Sequence, residues 1–320
     1  MALDRRTFLT LAELSPAELG LILRLSSKLK KTRGKTGRSL LEGKTVALVF
    51  EKPSTRTRVS FQVAISELGG SPITLSSEEM QLGRGETIDD TAQVLSRYVH
   101  AVMARVKRHG DIERLASASS VPVINGLSDL YHPVQILADL LTLQEKKGRL
   151  RGLKVAWVGD GDNVCNSWMI GAALSGINFV AATPERYSPL PAAKAVANVF
   201  AKRSGASITL THEPTAAVKG ADCVITDTFV SMGFDAEKQD RLAAFIPRFQ
   251  VNSALMSLAK RDAIFQHCLP AHRGEEVSAD VIDGRQSVVF DEAENRLHTT
   301  KALLCFLMLG AARSVRAARS

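Results

Sequence analysis

At 320 residues, with 45% hydrophobic and 23% charged content, the chain is long enough for two domains with separate cores. It has no uncharged apolar run near the roughly 18 residues a membrane span needs, and its first residues lead into a mixed segment instead of a long apolar signal core, so a cytoplasmic protein without membrane attachment is expected. The formal charge of +8 admits an anionic partner, but part of the excess sits in residues 28–38 and 313–319 and no basic stretch is interleaved with aromatics, so attraction of small phosphorylated substrates is expected and nucleic-acid binding is not.

In chain order, Thr45–Phe50 reads as a strand, 56–68 as a helix, Ile88–Tyr98 as a helix, 101–106 as a strand and Pro133–Lys147 as a helix. This alternation is the rhythm of a parallel α/β sheet. The polar, glycine-containing stretch 146–152 marks a domain boundary. Beyond it come strands at 153–158, Asn178–Ala182, 207–211, 222–226 and 263–266, with helices such as 191–203 between them. The expected fold is therefore α/β, with two doubly wound parallel-sheet domains joined by interdomain helices. The first domain is placed at 1–147, the second at 148–295, and 296–320 forms a long amphipathic helix packing back on the first. Cys165, Cys223, Cys268 and Cys305 are widely spaced, which indicates neither disulfides nor a structural zinc site.

After the first strand comes Lys52-Pro53-Ser54-Thr55-Arg56-Thr57-Arg58, in which a proline and a Ser/Thr cap open a helix carrying two arginines in its first turn. Free N–H groups, the helix dipole and guanidinium forks there suit an anion, at the carboxyl end of a strand where open α/β sheets bind ligands. The same residues also read as a well-capped helix with solvated arginines. His132 stands at a strand-to-helix junction beside Pro133 and ahead of Gln135. The polar loop 76–87 reads locally as a surface turn.

In the second half, Gly159-Asp160-Gly161-Asp162-Asn163 follows a strand but is a poor dinucleotide turn, because Val164 stands near the third glycine position and two aspartates would repel a pyrophosphate. Acidic side chains and an amide at a strand end suit a zwitterionic amino acid better. Cys268 follows His267 directly, and adjacent strand residues face opposite ways, so His267 is badly placed as a base for a nucleophilic thiol.

Ser54-Thr55-Arg56-Thr57-Arg58, Met103-Ala104-Arg105-Val106, Leu130-Tyr131-His132-Pro133-Val134-Gln135 and His267-Cys268-Leu269-Pro270, in this order, resemble the motifs of the aspartate/ornithine carbamoyltransferase family, over residues 40–309 or so. The resemblance implies transfer of the carbamoyl group of carbamoyl phosphate to an amine, with no metal and no organic cofactor. By it, Ser54, Thr55, Arg56 and Thr57 hold the phosphate, and Arg105, His132 and Gln135 contact the carbamoyl group and its phosphate linkage. Arg296 completes the carbamoyl-phosphate set, against the plainer reading of a helix-surface arginine paired with Glu292. Gln81 reaches a neighbouring subunit's site, which implies a homotrimer with shared sites.

The pattern Asp227-x-x-x-Ser231-Met232-Gly233 resembles the version that uses ornithine. Asn163, Asp227, Ser231 and Met232 are then the ornithine contacts, with Asp227 on the α-ammonium and Ser231 and the Met232 backbone on the carboxylate. Cys268 and the Leu269 carbonyl orient the δ-amine with Asp227 and also stand among the carbamoyl-phosphate contacts. Arg105, His132, Asp227 and Cys268 form the implied catalytic set. The chain departs from the pattern at Asp162, where many members carry asparagine, and at Phe229, where many carry tryptophan. The rival readings are a sister transferase using putrescine or an acylated ornithine, a nicotinamide-dependent oxidoreductase, and a phosphate- or nucleic-acid-binding protein without catalysis.

Overall fold

The computed structural model describes residues 7–76, 85–231 and 235–314. The chain divides into two compact units, residues 1–141 with 294–320, and residues 142–293. In chain order the elements are α1 (Pro16–Lys31), β1 (Thr45–Phe50), α2 (Thr55–Glu67), β2 (Ser71–Ser76), α3 (Ile88–Tyr98), β3 (Ala101–Arg105), α4 (His109–Ala118), β4 (Val123–Leu127) and α5 (Pro133–Lys147). They continue as β5 (Lys154–Val158), α6 (Asn163–Ser175), β6 (Asn178–Ala182), α7 (Pro191–Ser204), β7 (Ile208–Thr211), α8 (Pro214–Val218), β8 (Cys223–Thr226), α9 (Lys238–Phe245), α10 (Ser253–Met256), β9 (Ile264–His267), α11 (Ala279–Ile282) and α12 (Val289–Leu309). The chain passes from the first unit to the second inside α5 and returns inside α12.

The first sheet has the order β2-β1-β3-β4 and the second β7-β6-β5-β8-β9, every pair parallel. Strands buried on both faces read as continuous apolar runs, and β1 (Thr-Val-Ala-Leu-Val-Phe) and β5 (Lys-Val-Ala-Trp-Val) are such runs at sheet centres. The β2 strand carries Pro72, which cannot donate to a ladder and so belongs on an edge. The other edge, β4, is shielded by the N-terminal segment: Phe8 N–H donates to Val123 O at 2.8 Å and Phe8 O accepts from Asn125 N–H at 2.8 Å.

Each order contains one place where the connections leave in opposite directions, between β1 and β3 in the first sheet and between β5 and β8 in the second. Such switch points open a crevice at the carboxyl ends of the strands. The motif residues after β1, β3, β5 and β8 follow these ends in sequence.

Most predicted elements agree with the structure to within a residue or two; in the first unit α1, β2, α4 and β4 are additional, and in the second α6 and α8 to α11 join the predicted α7 between the strands. The last helix differs. It begins at Val289 and ends at Leu309, where Gly310 turns with φ 81° and a short helical turn follows. Nor is it amphipathic along its length, since Thr299–Leu307 are all buried, so its second half is a core helix.

Candidate active site

In the first unit, four residues separate the end of β1 from the start of α2. Ser54 caps it, its hydroxyl accepting from Thr57 N–H at 3.3 Å. The first N–H groups of an α-helix have no partner inside the helix, so the capped turn offers donors beyond the strand end. Its two arginines separate: Arg56 is half-buried and Arg58 exposed, so of the pair only Arg56 joins the buried cluster. Glu51 ties the neighbouring strand ends together, donating its N–H to Arg105 O at 2.9 Å and accepting Lys107 N–H at 2.7 Å. A register shift between Ala104 and Arg105, opposite Gly126, bends β3 against β4 where Arg105 emerges.

The structure brings Thr57, Arg105, His132, Gln135 and Arg296 together as buried polar groups. Arg296 donates to Gln135 Oε1 at 2.5 Å and to Thr57 Oγ1 at 3.1 Å, while Gln135 Nε2 donates to Asp139 at 2.7 Å. Arg296 is thus a buried group and not a helix-surface arginine, and Glu292, also buried, accepts the His267 N–H at 3.0 Å. His132 is held neutral well below the usual imidazole range by burial and by the charges of Arg296, Arg105 and Arg56. A neutral imidazole ringed by guanidiniums can donate or accept a hydrogen bond without adding charge, which suits an anion with a polarised carbonyl.

In the second unit, the turn after β5 is set by backbone packing. Gly161 N–H donates to Tyr187 O at 2.9 Å, and a Cβ on Gly161 would lie 2.3 Å from Pro189 N and 2.5 Å from Tyr187 O. Because those atoms are main chain, Gly161→Ala is expected to displace the turn, with loss of thermal stability by about 1–3 kcal/mol and a raised KM for the amine substrate. Calorimetry and kinetics on one preparation check both.

Asp160 is buried in an ion pair with Arg241, which also donates to Phe229 O at 2.7 Å and lies 4.8 Å from the Tyr187 ring centroid. Asp162 caps α6, accepting Val164 N–H at 3.3 Å, and accepts the Ser231 hydroxyl at 3.2 Å. Asn163 begins α6 beside it, half-buried. Asp227 accepts Thr228 N–H at 2.7 Å and the Cys268 thiol at 3.0 Å. Burial raises the carboxyl groups of Asp160, Asp162 and Asp227, and the charges of Asp160 and Asp227 push Asp162 up further.

Both ring nitrogens of His267 have partners of their own. Its Nδ1 accepts Leu269 N–H at 2.9 Å and its Nε2 lies 3.2 Å from Glu276 Oε1, an arrangement that holds Leu269 at φ 59°. The ligand atoms of Asp227, His267 and Cys268 lie within 4.8 Å of one another, as a metal site would require, but hydrogen bonds within the protein already engage all three. Phe229 is fully buried and stacks on Phe245, with 4.4 Å between centroids, so this departure from the family pattern serves packing. Gln81 and Met232 lie outside the described residues.

Residues 6–145 match the family model for the carbamoyl-P binding domain of aspartate/ornithine carbamoyltransferase, and residues 151–307 match its Asp/Orn binding domain. The chain belongs to the aspartate/ornithine carbamoyltransferase family. Within it, the chain is 54% identical over 305 residues to an ornithine carbamoyltransferase of Carboxydothermus hydrogenoformans, covering 95% of this chain and 97% of that one. It is 52% identical over 312 residues to an anabolic ornithine carbamoyltransferase of Pyrococcus furiosus, covering 97% and 98%. A solved ornithine carbamoyltransferase structure from Pyrococcus furiosus superimposes with a TM-score of 0.93, over 97% of this chain and 99% of that chain.

The arginine–histidine cluster of this family member lies wholly in the first unit and the carboxylate cluster wholly in the second. Sequence reading missed Arg241, Asp139 and Glu276. Arg241 meets Asp160 from 81 positions away, and no local spacing announces that contact.

Proposed function

We propose that this chain transfers the carbamoyl group of carbamoyl phosphate to the δ-amine of L-ornithine, giving L-citrulline and phosphate. The observation that carries this reading is near-full-length identity above one half to a named ornithine carbamoyltransferase; a buried carboxylate, Asp227, following β8 at a sheet switch point supports it. Putrescine has neither an α-ammonium nor a carboxylate for Asp227 and Ser231 to bind, and an acylated amine cannot pair with Asp227.

In this reading the phosphate lies on the capped turn Ser54-Thr55-Arg56-Thr57, and Arg105, His132, Gln135 and Arg296 take the carbamoyl group and its linkage. Asn163, Asp227, Ser231 and Met232 take the ornithine backbone groups, while Cys268 and Leu269 orient the side-chain amine. The amine nitrogen attacks the carbamoyl carbon, negative charge builds on its oxygen and is met by Arg105, the Thr57 hydroxyl and the His132 imidazole, and phosphate departs. The new C–N bond forms as the C–O bond to phosphate breaks, and the proton that the nitrogen loses passes to the departing phosphate. The biosynthetic direction, a cytoplasmic location and a homotrimer in which Gln81 completes a neighbour's site belong to the same proposal.

The test is citrulline formation with carbamoyl phosphate and ornithine, putrescine, N-acetylornithine or aspartate in parallel. Turnover with ornithine alone is expected, and turnover with another amine alone overturns the acceptor assignment. A free alkyl ammonium titrates near pH 10 and must be deprotonated to attack, so kcat/KM is expected to rise between about pH 6 and 9. Because His132 is held neutral, its protonation should not contribute a limb in that window. A flat profile would contradict this account.

A further inference from the structure

Three carboxylates lie at the ends of β5 and β8, and their charges are not balanced equally. Asp160 is neutralised by Arg241. Asp162 and Asp227 form no ion pair with lysine or arginine among the described residues. Asp162 sits in the electrostatic field of both other aspartates, and around it stand the Ser231 hydroxyl and the first turn of α6. The Ser231 hydroxyl donates to Asp162 Oδ2 at 3.2 Å, and a hydroxyl has one proton to give, so this contact commits it. What Ser231 has left is lone pairs. Those suit an ammonium donor and not a carboxylate.

We propose that Asp162 is a second carboxylate for the α-ammonium of ornithine, acting with Asp227 and holding the Ser231 hydroxyl as an acceptor for the same group. The inference rests on the ornithine reading above and alters one part of it: the α-carboxylate is bound by N–H donors, including the Asn163 amide, and not by the Ser231 hydroxyl. Two buried like charges disfavour each other, and a cation placed between them relieves that repulsion. Ammonium recognition is then a property of a carboxylate pair, and a substrate lacking the α-ammonium leaves the pair unrelieved.

The test is Asp162→Asn in the full chain. Asparagine caps a helix as well as aspartate does and can still accept from Ser231, so the variant removes charge while keeping the local hydrogen bonds. With carbamoyl phosphate saturating, KM for ornithine is expected to rise tenfold or more, with kcat changed less than threefold and KM for carbamoyl phosphate unchanged. Inhibition by L-2-aminopentanoate, which has the α-ammonium and α-carboxylate but no side-chain amine, should weaken by the same factor. Inhibition by 5-aminopentanoate, which lacks the α-ammonium, should not change. Asp162→Ser, another capping residue, should reproduce the KM rise. The proposal is overturned if KM for ornithine stays within twofold in both variants, if both inhibitors weaken equally, or if the loss falls on kcat alone. Failure of the underlying ornithine assignment would appear separately, as wild-type protein that makes no citrulline from ornithine, and the proposal would fall with it.

Discussion

Arg105→Gln is expected to lower kcat/KM by about two to three orders of magnitude while the protein stays folded, the size of effect seen when one preorganised donor to a developing oxyanion is removed. Arg105 ends β3 at the bulge opposite Gly126 and is 7% exposed, its own carbonyl accepting from Glu51 N–H. The backbone thus aims the side chain, and glutamine leaves that backbone pairing intact. The guanidinium shares its surroundings with Arg296 and Arg56, all three acting on His132. Removing one of several like charges relieves repulsion, so the thermal midpoint should hold or rise. A loss falling mainly on kcat would mean that Arg105 acts on charge that develops during the reaction, and a loss confined to the KM of carbamoyl phosphate would mean it only holds the ground state. A kcat/KM within fivefold of wild type would remove Arg105 from the catalytic set.

The second large effect is expected at Asp227. Asp227→Asn keeps an oxygen for Thr228 N–H and the Cys268 thiol but loses the negative charge. Leaving one member of a buried charge pair without its partner costs about 2–5 kcal/mol, or roughly 30- to 3,000-fold at 1.4 kcal/mol per factor of ten. That loss should appear in kcat/KM for ornithine. Equilibrium binding of carbamoyl phosphate alone, measured by calorimetry, should change by less than threefold, because the Ser54–Thr57 turn, Arg105, His132, Gln135 and Arg296 all lie in the other unit, while Cys268 and Leu269 stay in place beside an asparagine that still accepts the thiol. A variant that loses carbamoyl-phosphate binding instead would show that the carboxylate supports the fold and not the amine.

The parts of this molecule legible in its sequence are those where a local rule sets the structure. Central strands such as β1 and β5 are continuous apolar runs, and Ser54 announces a helix start through capping. The motif residues after β1, β3, β5 and β8 could be placed at strand ends for the same reason. What stayed hidden depends on contacts between distant segments. By local spacing Arg296 looks like a surface arginine beside Glu292; the family resemblance alone sets it in the carbamoyl-phosphate cluster, and its bonds to Gln135 and Thr57 reach far along the chain. The Asp160–Arg241 pair decides which carboxylates remain available for a ligand, and its members are far apart in sequence. The expected start of the last helix, 296, falls seven residues after the observed one because its early part, Val289–Glu294, is partly exposed and carries three acidic residues, so the apolar pattern strengthens only afterwards. Edge strands β2 and β4 were missed for a related reason, Pro72 and Gly126 interrupting the β-branched runs that mark a strand.

The return of the chain to the first unit inside α12 has a consequence for biosynthesis on the ribosome. The first unit is discontinuous: its sheet is finished by Leu127, but the core residues Ala302–Met308 and the Arg296 side chain that joins Gln135 to Thr57 are translated only after the whole second unit. Domains commonly fold as they emerge, N-terminal first. Here the nascent N-terminal sheet must wait, with apolar surface uncovered, while 152 inserted residues, 142–293, are made. The anion cluster therefore acquires its last arginine at the very end of synthesis, and a polypeptide released early, before α12, carries a first unit that lacks both that arginine and its closing core helix.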